Sequence, residues 1–150
     1  MMNSRNRKEE KGAKGTVKIK LACGTDNGTE FTNEHFGSSK YFLIYDFDLE
    51  TEDLRFIKRI VNSSQEEEKH GDIKKAKSVS ELLKNVFVFA AFRYGPNIVR
   101  IKKQFVTIIS REKNIEKTLY KIKLLSNKIK SEIEKEKGID KEIIYIKKEE

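Results

Sequence analysis

The sequence has little of the chemistry that would identify a common cofactor or redox site. It contains one cysteine, Cys23, one proline and no tryptophan. A single cysteine excludes an internal disulfide, a zinc ribbon and a dithiol redox pair within the chain. A reducing compartment is the simplest setting for such a composition, and we therefore expect a cytoplasmic protein.

Long hydrophobic runs are also missing. No apolar run approaches the roughly 20 residues that a membrane-spanning helix requires, and the first residues lack the apolar core of a signal peptide. We therefore expect no membrane partner. The 150 residues match the length of one domain, which can bury a core without disulfide bonds.

The net charge is positive, but it is spread along the chain. The formal charge is +8, and the excess of basic residues is largest towards the two ends. A nucleic-acid surface usually concentrates basic residues on one face and interleaves them with aromatic residues. We therefore do not expect a nucleic-acid partner. Residues 1–15 have little to bury and are predicted to form a disordered basic arm.

Hydrophobic periodicity predicts strands first and helices later. Alternating or continuous apolar patterns predict five strands at Val17–Cys23, Tyr41–Phe47, Leu54–Val61, Val86–Phe92 and Phe105–Ser110. The second and third strands must be antiparallel, because the connection between them is too short for a crossover. From Asp72 onward the apolar spacing changes to three or four residues and predicts an amphipathic helix, and a short helix is predicted after Pro96.

The C-terminal part of the sequence predicts a long helix that begins at Asn114. Its apolar stripe runs from Ile115 to Ile133 and is longer than a small sheet can cover. We therefore expect the distal half to project or to contact a partner chain, which would allow a homodimer through this helix. Residues 138–150 are assigned to a charged tail, for which an edge strand and an interaction tail are both open.

The order of elements indicates an α/β domain over residues 16–137. Three strands precede an alternation of helix, strand, short helix, strand and long helix. This order predicts a mixed sheet of about five strands with helices on both faces.

His35 is the residue that most suggests a function. It stands between Glu34 and Phe36, just before the apolar strand that begins at Tyr41. A histidine in a loop held by a rigid strand suits a metal ligand or a proton carrier, although a turn histidine that only bonds backbone is also consistent with the pattern. Cys23, at a strand end, could be a ligand or a small buried hydrophobe, and His70 could be a ligand or a helix cap.

Several short motifs occur in an order that resembles one known family. They are Thr25-Asp26 after the first strand, Glu34-His35-Phe36-Gly37 before the second, His70-Gly71-Asp72 before a helix, and Gly95-Pro96-Asn97 before the next helix. From Ile19 to about Leu125 the chain resembles the dinitrogenase iron-molybdenum cofactor biosynthesis domain, the family of NifX, NafY and the C-terminal domain of NifB.

This resemblance implies a three-layer, ribonuclease H-like fold and a protein without enzymatic turnover. It implies a carrier that transiently holds an iron-sulfur or iron-molybdenum-sulfur cluster while nitrogenase cofactor is assembled for nitrogen fixation, with cluster donor and acceptor proteins as partners. The family's histidine ligand falls on His35. Relatives outside nitrogen fixation carry other molybdenum-sulfur clusters, and the resemblance gives no support to Cys23 as a ligand.

The residue chemistry adds constraints of its own. Iron-sulfur clusters are mostly held by several thiolates, so one cysteine implies a prebuilt cluster gripped at one or two corners by His35 and Cys23, with His70 as a third candidate. Such clusters are typically anionic, and Lys74, Arg93 and the helix N-termini that follow residues 72 and 96 could supply positive charge. Lys74 could equally be only solvated. We hypothesise that these groups converge on one edge of the sheet.

Two other interpretations remain at this stage. A ribonuclease H-like fold could carry a metal-dependent nuclease, for which Asp26, Asp46, Asp48 and Asp72 are the available carboxylates. Alternatively, the protein could be an interaction module that docks to a protein or a nucleic acid through the long last helix and the basic ends.

Overall fold

The computed structural model describes residues 17–63, 79, 81–136 and 138–148. In this part of the chain a six-stranded sheet has the order β3-β2-β1-β4-β5-β6. The strands are β1 Lys18–Thr25, β2 Tyr41–Asp48, β3 Leu54–Val61, β4 Val88–Ala91, β5 Val106–Ser110 and β6 Ile144–Ile146. The described helices are the 3-10 helix Phe36–Ser38 and the α-helices α1 Ile98–Ile101, α2 Ile115–Lys123 and α3 Ser126–Ile133.

The strand directions create one edge where several loops meet. β1, β4, β5 and β6 are parallel to one another, whereas β2 is antiparallel to β1 and β3 is antiparallel to β2. The β2–β3 turn is held by Asp48, whose Oδ1 accepts hydrogen bonds from the amides of Glu50 and Thr51 at 2.9 and 3.0 Å. Because of these strand directions, the ends of β1, β4 and β5 lie together with the start of β2. We call this side of the sheet the carboxyl edge.

The two faces of the sheet bury different sets of side chains, because successive residues of a strand point to opposite faces. Leu21 and Cys23 pack with Ile122 and Ile129 of the C-terminal helices, on what we call the α2–α3 face. Ala22 packs with Phe36, Phe89 and Leu83 on the opposite face, which we call the Phe36 face. Ile101 of α1 packs against the Phe36 face, so helical residues lie on both sides of the sheet.

The structure confirms the five predicted strands and adds a sixth. β3 has the predicted bounds, and the other four differ from the prediction by one or two residues at their ends. The predicted number of strands was wrong, because Ile144–Ile146 pairs with β5 in parallel and forms the outer strand. Of the two interpretations for residues 138–150, the edge strand is the one that the described residues adopt. The ribonuclease H-like layering remains a prediction.

The predicted long C-terminal helix is two helices. α2 ends at Lys123 and α3 begins at Ser126, with Leu124 and Leu125 in the turn between them. The expectation that the distal half projects was wrong, because Ile129 and Ile133 are buried against a sheet that is one strand wider than predicted. This stripe therefore gives no support to a homodimer or to an interaction module that depends on it.

Some predictions fall on residues outside the described ones. The basic arm, residues 1–15, is among them, and so is most of the helix predicted from Asp72. Residues 79, 81 and 82 are helical, and Val79 and Leu83 are buried on the Phe36 face. In the described part of the chain, no helix is both long enough and apolar enough to span a membrane.

Candidate functional site at the carboxyl edge

The loop between β1 and β2 begins with a turn that its own side chains stabilise. The hydroxyl of Thr25 donates to the carbonyl of Glu30 at 2.6 Å and accepts from the amide of Gly28 at 2.9 Å. Gly28 has a φ of 86°, a conformation that glycine adopts without steric cost. Phe31 then pairs with Thr25 across the turn, so the first half of the loop is fixed on the end of β1.

Asp26 fixes the second half of the same loop. Its Oδ2 accepts from the hydroxyl of Thr32 at 2.9 Å, and its Oδ1 accepts from the amide of Lys40 at 2.9 Å. Both carboxylate oxygens therefore serve the loop that carries His35. This explains the Thr25-Asp26 motif as a structural element.

The three described carboxylates that were proposed for a nuclease, Asp26, Asp46 and Asp48, do not converge. Asp46 forms an ion pair with Lys20 at 2.8 Å, and Asp48 lies in the β2–β3 turn, at the edge opposite to Asp26. Among the described residues there is no group of three or more His, Cys, Asp or Glu side chains that could hold a metal ion. Asp72 lies outside the described residues. The arrangement gives no support to two-metal catalysis.

Phe36 is the anchor of the His35 loop. Its ring is 1% exposed and stacks on Phe89 with the ring centroids 4.7 Å apart, and it also contacts Phe42 and Tyr94 at 5.1 and 5.4 Å. The hydroxyl of Ser39 donates to the Phe36 carbonyl at 2.7 Å and closes the 3-10 helix. Because the residue next to His35 is buried among three other rings, the histidine backbone has a fixed position.

Gly24 allows the 3-10 helix to lie directly against the end of β1. A Cβ atom at Gly24 would lie 2.2 Å from Ser39 Oγ and 3.1 Å from Phe36 Cδ1. Ser39 is itself buried, so it has little room to move away. A side chain at position 24 would therefore displace the anchor of the His35 loop.

The imidazole of His35 is exposed to solvent and lies against the loop that follows β4. A Cβ atom at Gly95 would lie 2.6 Å from His35 Nδ1 and 3.1 Å from Cε1, so the ring covers the Gly95 backbone. The amide of Phe36 donates to the carbonyl of Arg93 at 3.0 Å and joins the two loops. The structure thus brings His35 and the exposed Arg93 to the same edge of the sheet.

Two basic residues at this edge were not found from the sequence. Arg111 and Lys113 follow β5, and their charged groups lie 6.0 and 5.0 Å from the centroid of the Phe92 ring. Lys113 also donates to the side chain of Asn33, two residues before His35. No sequence motif marks Arg111 and Lys113. Only their position just after a predicted strand that ends at the carboxyl edge could have indicated them.

Cys23 is not part of this edge. Its side chain is fully buried on the α2–α3 face, whereas Phe36 packs on the opposite face. Burial raises the pKa of the Cys23 thiol far above its usual range, so the thiol stays protonated at neutral pH. A metal ligand must be the thiolate. The placement gives no support to Cys23 as a ligand, and we leave it out of the site.

We expect Cys23 to react very slowly with iodoacetamide in the native protein. The thiol is inaccessible, and its raised pKa lowers the thiolate fraction at every pH below that pKa. Alkylation followed by mass spectrometry at pH 8 should show modification orders of magnitude slower than in denaturant, which is the matched control. Rates that differ by less than about tenfold would contradict this burial.

His70 and Lys74 lie outside the described residues, so the structure does not relate them to His35. β3, which precedes them in the chain, ends at the carboxyl edge, where Val61 pairs with Tyr41. The side-chain amide of Asn62 then donates to the carbonyls of Gly37 and Ser39 at 2.9 and 2.7 Å. The loop after β3 therefore starts in contact with the His35 loop.

Comparison with known proteins agrees with the sequence motifs. The family model described as dinitrogenase iron-molybdenum cofactor matches residues 17–124, which extend from β1 to the end of α2 and include both loops that hold His35. A search of curated proteins finds no match. Because the family model covers more than half of the chain, the protein belongs to the dinitrogenase iron-molybdenum cofactor family.

Proposed function

We propose that the protein is a non-catalytic carrier that transiently holds a prebuilt iron-sulfur or iron-molybdenum-sulfur cluster as its cargo. The cluster would come from a donor protein and pass to an acceptor protein during metallocofactor assembly. Family membership implies involvement in the biosynthesis or binding of iron-molybdenum cofactor, which supports this proposal at a coarser level. We also propose that the sheet and its helices have the ribonuclease H-like arrangement that the resemblance implies.

The observation that carries the proposal is the placement of His35. Among the described residues it is the only histidine or cysteine whose side chain reaches solvent. Its backbone is fixed by buried Phe36, and its ring lies on the Gly95 backbone. An imidazole is a suitable ligand for iron, and a single fixed ligand on an open edge can grip one corner of a cluster without enclosing it. A weak grip of this kind is what transfer requires.

Positive charge around His35 would supply the rest of the affinity. Arg93, Arg111 and Lys113 lie on the loops after β4 and β5 at the same edge. An anionic cluster would be attracted to these side chains over several ångströms. The dipole of α1, the short helix that follows Pro96, contributes less positive potential than we expected. α1 spans only Ile98–Ile101, and a single turn has few aligned peptide groups.

The proposal predicts that His35→Ala weakens cluster retention at least about tenfold, since loss of a ligand should cost no less than loss of its supporting groups. Apo-protein would be mixed anaerobically with a preformed iron-molybdenum-sulfur cluster and passed through gel filtration. Metal analysis and visible charge-transfer absorption measure retention. Equal retention by the wild-type and His35→Ala proteins would remove His35 from the site, and no retention by the wild type would contradict the carrier proposal.

Arg93→Ala tests the contribution of charge, with Arg55→Ala as its matched control. Arg55 is an exposed arginine on β3, near the edge opposite to His35, and its loss changes the net charge equally. We expect Arg93→Ala to weaken retention severalfold and to reduce the salt dependence, and Arg55→Ala to leave both unchanged. Equal losses in the two variants would show that the cluster responds only to overall charge.

A further inference from the structure

β3 is an open edge strand in the described part of the sheet. It forms a ladder with β2, and no described strand pairs with its other side. Its exposed apolar residues are Phe56, Ile57 and Val61, with 53%, 42% and 62% of their surfaces in solvent. Proteins usually protect such edges, because an open edge can pair with another strand. An exposed edge strand with several apolar side chains is therefore a place where a partner strand can add.

Two of the exposed apolar side chains of β3, Phe56 and Val61, lie on the α2–α3 face, whereas Ile60 packs against the Phe36 face. Phe56 pairs with Tyr45, and their rings meet edge to face at 5.6 Å. Tyr45 belongs to the core of the α2–α3 face, and Val61 pairs with Tyr41 on the same side of the sheet. An irregularity in the ladder between Ile44 and Tyr45 leaves Ile57 as an extra residue next to Phe56.

Helix α2 forms the other side of this surface. Ile115 and Ile122 of α2 belong to the same buried cluster as Tyr45, whose ring contacts Phe56. Tyr120 lies in α2, and Leu124 lies in the turn that follows it. Their side chains are 65% and 64% exposed. The hydroxyl of Ser126, the first residue of α3, donates to Glu52 at 3.4 Å and links the start of α3 to the β2–β3 turn.

We call the surface made by Phe56, Ile57, Val61, Tyr120 and Leu124 the β3–α2 surface. It lies on the flank of the domain and shares no residue with the His35 site. Its five large apolar side chains come from β3 and from α2 with the turn that follows it, and both segments contribute to the packing around Tyr45. One extended segment that adds beside β3 would cover several of them at once.

The charge of β3 identifies the kind of segment that fits. The strand contains Arg55, Lys58 and Arg59 and no acidic residue. Arg55 and Lys58 pair with Asp46 and Ile44 and so face the side opposite to Phe56, whereas Arg59 lies 4.4 Å from the Tyr41 ring. A second copy of β3 would bring like charges together, which destabilises a strand pair. An acidic strand would instead complement these charges.

We propose that the β3–α2 surface binds an extended acidic segment of a partner protein, which adds to the sheet as a strand beside β3. Alternate residues of that segment are apolar and cover Phe56 and Val61. The residues between them are acidic and face Arg55 and Lys58 on the other side of the sheet. Main-chain hydrogen bonds to β3 supply affinity, and the alternation supplies specificity.

A labelled eight-residue peptide of alternating valine and glutamate tests the proposal. Fluorescence anisotropy should show binding to the wild-type protein and at least about tenfold weaker binding to Lys58→Glu. Lys148→Glu is the matched control, because it changes the net charge equally and lies after β6, at the opposite end of the sheet. Lys148→Glu should bind the peptide as the wild type does. A peptide of the same composition with four valines followed by four glutamates should bind weakly.

Hydrogen exchange locates the binding. The alternating peptide should slow exchange of the β3 amides and leave those of β6 unchanged. No binding by the wild type, equal loss in Lys58→Glu and Lys148→Glu, or equal binding of the block peptide would overturn the proposal. Sedimentation that shows a wild-type dimer abolished by Phe56→Asp would assign the surface to a second copy and would also overturn it. Lys58→Glu should retain the cluster normally, so this test is separate from that of the carrier function.

Discussion

Replacing Phe36 with alanine is expected to lower the free energy of unfolding by about 3–5 kcal/mol. The ring is 1% exposed and contacts Phe42, Phe89 and Tyr94, so its removal leaves a cavity on the Phe36 face. The aromatic neighbours cannot fill that cavity without leaving their own packing. The same change would release the backbone of His35, so cluster retention should fall with stability.

Urea denaturation followed by circular dichroism measures this loss, and Phe56→Ala is the matched control. Phe56 is the same residue type but is 53% exposed, so we expect its replacement to cost about 1 kcal/mol or less. If Phe36→Ala does not fold, Phe36→Leu keeps most of the volume and should show a smaller loss in the same direction. Equal costs for the Phe36 and Phe56 alanine variants would contradict the assignment of Phe36 as the anchor.

Gly95→Ala is expected to abolish most of the cluster retention without unfolding the protein. The new Cβ would lie 2.6 Å from His35 Nδ1, closer than packed atoms approach. His35 is exposed, so its ring can rotate away into solvent at little cost to stability. The loop would remain, but the imidazole would leave the position in which it is proposed to bind.

Gly37→Ala is the control for this prediction. It adds the same methyl group two residues after His35, but the nearest atom to the new Cβ is Val79 Cγ2 at 3.8 Å, an ordinary contact. We expect Gly37→Ala to retain the cluster as the wild type does and Gly95→Ala to approach the retention of His35→Ala. Unchanged retention in Gly95→Ala, together with an unchanged NMR signal from the His35 ring, would contradict the described contact.

The first five strands could be predicted because each contains an alternating or continuous apolar pattern. β3 matches its prediction at both ends, and β4 is short but continuously apolar. β6 could not be assigned, since three residues give too few positions to separate a strand from a charged tail. The break at Leu124 was also hidden, because the apolar spacing of the stripe continues through it.

The candidate site could be predicted only in part. The Glu34-His35-Phe36-Gly37 motif identified the histidine, and the loop that begins at Arg93 was expected at the same edge. The contact between His35 and Gly95 joins segments far apart in sequence, so no local pattern predicts it. The burial of Cys23 on the face away from the site could have been predicted. Cys23 has the same strand parity as Ile19 and Leu21 and therefore faces the same side of the sheet.

The hydrogen bond from the Phe36 amide to the Arg93 carbonyl can form only after β4 and the residues that follow it have been synthesised. A nascent chain that has been synthesised only as far as β3 contains His35. It lacks β4 and Gly95, on which the His35 ring rests. The proposed cluster-binding site is therefore complete only after β4 has paired with β1. Under the proposed carrier function, incomplete chains are expected to retain the cluster less well than complete ones.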